Sequence, residues 1–308
     1  MAMRFLLISL CWCVSIACAA QTPALATALN EQVIMLRIGD GWGSTELETT
    51  IFKPDGDGPF PLAIINHGKA SGNPRFQARA RYLVAAAEFV ARGYLVAMPM
   101  RRGFSKSGGA YIQAGCNIRS NGLLQAEDIR DIVAVLGKRT DVDAQRIVII
   151  GQSHGGLTTL ALGSMNVPGV RGLINFAGGL RVESSTTYCS WEKFMADAFA
   201  AYAAKTTVPS LWFYGDNDSY WGAELPKVLY ERYTGAGGKA KLIAFGVFQD
   251  GDAHAMFGQR SGLSIWLKPV EEFLRSVDMP AGVIKREAMS APAPDGKAGA
   301  SETQGSLP

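Results

Sequence analysis

Histidine and cysteine are scarce in this chain, which has three histidines and five cysteines among 308 residues. No two cysteines have C-x-x-C or metal-ligand spacing, and the H-E-x-x-H motif of zinc hydrolases is missing. The sequence also has no P-loop and no dinucleotide fingerprint after its first predicted strand. We therefore expect neither a metal nor a cofactor.

The chain has no large excess of either charge, because 30 basic and 27 acidic residues give a formal net charge of only +3. No run of lysine and arginine is interleaved with aromatic residues, so we expect no nucleic-acid partner and no binding to anionic membranes. Almost half of the residues are hydrophobic, as in ordinary globular proteins. The length suits one large α/β domain better than two small ones.

Residues 1–20 have the pattern of a secretory signal peptide. Arg4 precedes an apolar run over 5–17, and small residues follow up to Ala20. The run is too short for a membrane span, so we predict export to the periplasm or outside the cell, with no span left after cleavage. The alternative is a lipoprotein anchored through Cys18.

Only Cys116 and Cys189 remain once the signal segment is removed. In an oxidising compartment two cysteines are expected to form a disulfide bond. The alternative is a pair of buried, unpaired thiols. Both cysteines lie in loops predicted at the same end of the sheet, so the disulfide would join the rim of a site there.

Strand-like and helix-like segments alternate along most of the chain. Two strands over 33–38 and 46–53 predict an antiparallel edge. The following strands are continuous apolar runs, as expected for strands covered on both faces. We predict strands at 62–68, 94–99, 146–151, 172–178, 209–215 and 241–246, with helices near 76–92, 123–137, 154 onwards, 191–204, 223–233 and 265–277.

This order predicts an α/β fold: a mostly parallel sheet with helices on both faces and no large lid. The catalytic domain is predicted over 21–284. Residues 285–308 have almost no large apolar side chain and are predicted to be a disordered tail.

A G-x-S-x-G motif, Gly151-Gln152-Ser153-His154-Gly155, follows the predicted strand 146–151 and opens a helix. This is the setting of a nucleophile elbow, in which a strained turn presents the serine. Gly151 and Gly155 are required there because a Cβ would collide in so tight a turn. Ser153 is therefore the candidate nucleophile; the alternative is a glycine-rich turn with an incidental serine.

A serine nucleophile needs a base, and His254, after the last predicted strand, is the candidate. His154 is expected to point away from Ser153, and His67 lies in another loop. Asp218 is the preferred carboxylate to orient the base, and Asp216 is the competitor. Asp250 and Asp252 are expected to stabilise their loop.

Attack on a carbonyl produces an oxyanion, which backbone N–H groups must stabilise. His154, the residue after the nucleophile, is expected to supply one N–H. Lys69 is expected to supply the second, with Gly68 as the alternative.

With its Ser153, Asp218, His254 order, the chain resembles α/β-hydrolases of the dienelactone hydrolase and prolyl oligopeptidase catalytic-domain type. The resemblance covers roughly 30–280 and is carried by "NHG", "RRGFSKSGG", "GQSHGG", "GDND" and "DAH". Dienelactone hydrolases carry cysteine as nucleophile, and prolyl oligopeptidases add a β-propeller for which this chain has no room. The resemblance implies a secreted serine hydrolase, more an esterase than a peptidase.

Similar hydrolases carry an R-G-x-S-x-G turn whose arginine braces the next helix. This resemblance implies that Arg102, or Arg101, pairs with Asp128 or Glu127; the alternative is that one arginine binds a substrate carboxylate. Loop aromatics near the predicted site are candidates for the substrate pocket: Phe104, Tyr188, Trp191, Tyr220 and Trp221.

The predicted function is hydrolysis of an ester bond in a small or medium substrate through an acyl-enzyme. Alternatives are a serine peptidase acting on short peptides, or a non-catalytic ligand-binding protein on a hydrolase scaffold.

Overall fold

The computed structural model describes residues 23–113, 115–182 and 189–284, apart from the Trp42 side chain. The predicted signal peptide and the predicted tail lie outside these ranges, as does Tyr188. None of the helices within the described ranges is long and apolar enough to span a membrane.

The described ranges form an eight-stranded sheet with six α-helices. The strands are β1 (Gln32–Ile38), β2 (Thr45–Phe52), β3 (Phe60–Asn66), β4 (Leu95–Pro99), β5 (Val142–Gln152), β6 (Val170–Phe176), β7 (Ser210–Tyr214) and β8 (Ala240–Ala244). The helices are α1 (Leu83–Ala91), α2 (Ile118–Leu136), α3 (His154–Gly163), α4 (Trp191–Ala203), α5 (Leu225–Gly235) and α6 (Leu263–Ser276).

The strand order is β1-β2-β4-β3-β5-β6-β7-β8. β2 pairs antiparallel with both β1 and β4, and every other neighbouring pair is parallel. The predicted antiparallel N-terminal edge and mostly parallel sheet are confirmed. Because the parallel strands run the same way, the loops at their carboxyl ends meet at one edge.

Two hydrophobic clusters, one on each face of the sheet, form the core. Helices α2, α3, α4 and α5 contribute to one cluster, and α1 and α6 to the other. Along β3, Leu62 and Ile64 join the first cluster, whereas Ala63 and Ile65 join the second. Successive side chains point to opposite faces of a strand, and both faces are covered here. This burial explains why the strands are continuous apolar runs.

Helix α1 is shorter than the helix predicted over 76–92, because it begins at Leu83. The polar side chains that precede Leu83 form contacts with other parts of the chain. Gln77 reaches the loop after β3, and Arg79 and Arg81 reach Glu31. Helix α2 begins before the predicted residue 123, because the side chain of Asn117 caps it by accepting the Ser120 N–H at 3.0 Å.

Candidate active site

Ser153 lies in the sharp turn between β5 and α3. Its backbone has φ 55° and ψ −124°, a conformation that non-glycine residues rarely adopt. A Cβ on Gly151 would lie 2.1 Å from the Gly155 carbonyl oxygen, and one on Gly155 would lie 2.0 Å from the Asn66 carbonyl oxygen. Both neighbouring positions therefore require glycine. This is the strand-turn-helix geometry of a nucleophile elbow.

The His254 imidazole is hydrogen-bonded to a buried carboxylate. Its Nδ1 lies 3.0 Å from Oδ2 and 3.1 Å from Oδ1 of Asp218. Asp218 Oδ1 also accepts the backbone N–H groups of Tyr220 and Trp221, at 2.9 Å and 3.2 Å. A carboxylate only accepts, so Nδ1 carries the proton and Nε2 presents its lone pair. Asp216, the alternative carboxylate considered from the sequence, also follows β7, but it is exposed.

Asp252 stabilises the loop that carries His254. Its carboxylate accepts the backbone N–H of His254 at 2.9 Å and both the N–H and the hydroxyl of Ser219, at 3.1 Å and 2.5 Å. Burial raises the pKa of Asp252, but these hydrogen bonds outweigh it and the net pKa is lowered. Asp252 therefore ties the His254 loop to the loop that carries Asp218.

The His254 loop meets the elbow through the residue before Ser153. Gln152 Nε2 donates to the His254 carbonyl oxygen at 2.8 Å. Tyr220 packs its ring on the imidazole, with centroids 4.4 Å apart. Within the described residues the His254 ring hydrogen-bonds to Asp218 alone, and the Ser153 hydroxyl makes no hydrogen bond. Bonds between nucleophile and base often tighten only when substrate is bound.

The other two histidines are buried. His154 Nε2 lies 2.7 Å from Asn121 Oδ1, and His67 Nδ1 lies 2.6 Å from the Gly68 carbonyl oxygen. Burial, reinforced by the positive charge of Arg101, holds the pKa of each well below its usual range. Both imidazoles are therefore neutral and already hydrogen-bonded, which agrees with the choice of His254 as base.

Two backbone N–H groups beside Ser153 have no acceptor within the described residues: those of Lys69 and His154. The Gly68 N–H is directed at the Tyr82 hydroxyl, 3.4 Å away. The loop after β3 lies against the elbow, because a Cβ on Gly68 would lie 3.2 Å from Ser153 Cβ. Of these two candidates, only the Lys69 N–H has no acceptor within the described residues.

A cleft of about 560 Å³ opens beside Ser153. Of the predicted pocket aromatics, Tyr220 and Trp221 line it. Trp191 is outside this lining and contacts Trp221, with ring centroids 5.9 Å apart. Phe104 corrects the sequence prediction: it is fully buried between His67 and Tyr111, so it cannot touch a substrate. Tyr188 lies outside the described residues.

Tyr111, Asn121 and Arg181 also line the cleft, and the sequence analysis did not select them. Tyr111 follows Phe104 in the loop after β4, and the Lys69 ammonium lies 5.9 Å from the centre of its ring. Tyr111 and Arg181 lie in loops at the carboxyl edge of the sheet and Asn121 lies in the first turn of α2, and this position was the signal that the sequence offered. No group of three potential metal ligands is present in the described ranges.

Two predicted contacts outside the cleft are present. Cys116 and Cys189 form a disulfide with Cα atoms 5.9 Å apart. Arg102 forms the brace to helix α2: its Nε and Nη2 lie 2.8 Å and 2.5 Å from Oδ1 of the buried Asp128. Arg101 is instead fully buried and donates to Gln125 Oε1 and the His67 carbonyl oxygen, both at 2.8 Å.

Comparison with known proteins assigns the family. The model of the X-Pro dipeptidyl-peptidase (S15) family matches residues 40–208, which is more than half of the chain. The chain belongs to the S15 family. This match includes the elbow and the loop after β3, whereas Asp218 and His254 lie beyond it.

One curated relative of this S15-family chain is the uncharacterized protein YfhR of Escherichia coli O157:H7. The two are 32% identical over 145 residues, which is 44% of this chain and 47% of that protein. The match therefore spans about half the length of that relative.

Solved structures confirm the α/β-hydrolase fold of the S15-family chain. The Pyrococcus furiosus esterase Pf2001 is similar with a TM-score of 0.58 and 16% identity, covering 83% of this chain and 94% of that one. A Mycobacterium tuberculosis puromycin-hydrolyzing peptidase has a TM-score of 0.59 and 19% identity, covering 86% of this chain and 43% of that one. At these identities the likeness establishes the fold.

Proposed function

We propose that this protein is a serine hydrolase that cleaves an ester through an acyl-enzyme. The observation that carries the proposal is the strained Ser153 in its glycine elbow, beside a loop whose His254 is oriented by the buried Asp218. In the proposed mechanism His254 Nε2 takes the Ser153 proton as Oγ attacks the carbonyl carbon. His254 then returns the proton to the leaving alcohol.

Water completes the proposed cycle by attacking the acyl-enzyme while His254 again acts as base. In both steps the carbonyl oxygen becomes negatively charged and is held by the Lys69 and His154 N–H groups. Asp218 keeps the Nδ1–H tautomer in place and stabilises the imidazolium that forms.

Peptide hydrolysis is the second candidate, and the S15 family match favours it. Cleavage of an N-terminal dipeptide requires a group that binds the free amine, commonly a carboxylate. The described residues that line the cleft include Lys69 and Arg181 but no aspartate or glutamate. The positive charges of Lys69 and Arg181 favour a neutral ester over a peptide with a free N-terminal ammonium.

Labelling with a fluorophosphonate tests the nucleophile. We expect the wild-type protein to be labelled and to hydrolyse short p-nitrophenyl esters, and Ser153→Ala to do neither. Ser105→Ala is the matched control, because Ser105 also has a positive φ but lies outside the cleft lining. Equal labelling of wild type and Ser153→Ala would remove Ser153 from its role.

Parallel assays with p-nitrophenyl esters and an Xaa-Pro p-nitroanilide separate the two candidates. We expect the ester to have the higher kcat/KM. A preference for the anilide would replace the ester proposal by the peptidase, and no turnover of either would contradict both.

A further inference from the structure

His67 is a buried histidine that the proposed mechanism does not use, although it lies next to the loop that supplies the Lys69 N–H. Its imidazole has a hydrogen-bond partner on each side. Nδ1 lies 2.6 Å from the Gly68 carbonyl oxygen, and Nε2 lies 3.3 Å from the backbone nitrogen of Arg101.

Gln77 Nε2 also lies 3.3 Å from Nδ1 of His67, but it donates to the Gly68 carbonyl oxygen at 3.1 Å. The Gly68 and Arg101 contacts determine the tautomer of His67. A carbonyl oxygen only accepts, so Nδ1 must carry the proton; a backbone N–H only donates, so Nε2 must be unprotonated. Burial and the nearby Arg101 charge also lower the pKa of His67, which keeps the ring neutral. The ring therefore donates to the Gly68 carbonyl oxygen through Nδ1 and accepts the Arg101 N–H through Nε2.

The Gly68 carbonyl and the Lys69 N–H belong to the same peptide group. In a planar trans peptide these two bonds point in opposite directions. Holding the carbonyl oxygen against His67 therefore directs the Lys69 N–H the opposite way. That N–H has no acceptor among the described residues, and Lys69 lines the cleft beside Ser153.

The preceding peptide group is held in the same manner. Arg101 Nη1 donates to the His67 carbonyl oxygen at 2.8 Å, and the Gly68 N–H on that peptide is directed at Tyr82. Gln77 also holds the backbone of this loop, because its Nε2 donates to the Gly68 carbonyl oxygen at 3.1 Å and its Oε1 accepts the Ala70 N–H at 2.8 Å.

We propose that His67 is a positioning residue that aims the Lys69 N–H at the oxyanion, through its Nδ1–H bond to the Gly68 carbonyl. This inference rests on the proposed serine hydrolase function. It assigns to the histidine of "NHG" the preorganisation of an oxyanion donor, a role distinct from proton transfer.

Two substitutions of His67 separate its two nitrogens. In His67→Asn the side-chain amide N–H stands near the Nδ1 position, so the bond to Gly68 is retained. In His67→Gln the amide reaches the Nε2 position, so the bond to Arg101 is retained and the bond to Gly68 is lost. Both replace a buried ring by a smaller amide, and Asn removes the larger volume, so loss of packing alone would harm His67→Asn at least as much as His67→Gln.

We expect His67→Gln to lower kcat on a p-nitrophenyl ester by about 10- to 100-fold, with KM changed by less than about 3-fold. The loss is smaller than the ~10²- to 10³-fold effect of deleting an oxyanion donor, because Gln77 still holds Gly68. His67→Asn should keep kcat within about 3-fold of wild type. Adding Gln77→Leu to His67→Gln should lower kcat further.

A trifluoromethyl ketone inhibitor supplies a second measurement, because its adduct with serine carries an oxyanion. Its affinity should fall in parallel with kcat in His67→Gln and stay near the wild-type value in His67→Asn. Equal kcat values for the two variants, or a loss confined to KM, would overturn the positioning role. Failure of the proposed function is distinct: then the wild type would not hydrolyse the ester, or Ser153→Ala would.

Discussion

At the scale of single residues, the two aspartates after β7 differ in burial and in partners. Asp218 is buried and hydrogen-bonded to His254, whereas Asp216 is exposed. We expect Asp218→Asn to lower kcat by about 10³- to 10⁴-fold, because an amide favours the wrong imidazole tautomer. Asp216→Asn should change kcat by less than about 2-fold. Steady-state kinetics of both variants on one ester decide the assignment, and a large loss in Asp216→Asn would reverse it.

The sequence identified residues whose role follows from a local pattern, and it was less informative where the role depends on distant contacts. The elbow could be predicted because strand, glycine spacing and helix are adjacent in the chain. Phe104 was misplaced because nothing in its own loop shows that His67, from the loop after β3, packs against its ring. Of the two bonds that fix the tautomer of His67, the one from the Arg101 N–H comes from a segment 34 residues away.

At the scale of elements, the disulfide joins the segments that precede α2 and α4. Its cysteines are 73 residues apart, so the bond restricts a long loop in the unfolded chain. We expect the double variant Cys116→Ser, Cys189→Ser to lose up to about 4 kcal/mol of unfolding free energy. Chemical denaturation measures this loss, and a reductant should destabilise only the wild type.

Activity should depend on the disulfide much less than stability does. Tyr202 on α4 donates to the Arg119 carbonyl oxygen on α2 at 2.8 Å, and both helices pack in the same hydrophobic cluster. We therefore expect the double variant to keep kcat/KM within about 3-fold of wild type below its melting temperature. Equal unfolding free energies for variant and wild type would show that the bond contributes nothing to stability.

The helix and strand order was predictable because each buried strand is a continuous apolar run, whereas apolar residues in the helices recur about every 3.6 positions. Element boundaries were less predictable. The segment before α1 has helix-compatible residues, but it is not helical, because Arg79 and Arg81 form ion pairs with Glu31. Such pairs join residues about 50 positions apart, so no local pattern reveals them.

At the scale of the whole molecule, Glu31 ties the first described segment to the domain. Its carboxylate accepts the Ala26 N–H at 2.6 Å and is paired with Arg79 and Arg81. Beside it, Leu29 is buried in the α1 and α6 cluster, and its carbonyl oxygen accepts the Lys53 N–H at 3.1 Å. This cluster of contacts fastens the segment to β2 and to the chain before α1.

Glu31 should therefore make part of the stability depend on pH. Burial raises its pKa, but the hydrogen bonds from Arg81, the Ala26 N–H and Arg79 outweigh it, so the net pKa is below the ordinary 4.5. A carboxyl whose pKa is lowered by folding stabilises the fold fully above its unfolded value. That contribution declines as pH falls from about 4.5 through the folded pKa.

We expect Glu31→Gln to lower the unfolding free energy at pH 7 by about 3 kcal/mol, since it leaves two largely buried guanidinium groups without this carboxylate. The difference from wild type should shrink below pH 4.5, where the wild-type carboxyl also becomes neutral. Urea denaturation at pH 7 and at pH 3.5 measures both effects. Glu224→Gln is the matched control, because that side chain is 82% exposed and should change stability by less than about 0.5 kcal/mol. A difference between Glu31→Gln and wild type that stays constant with pH would show that Glu31 acts through packing and not through its charge.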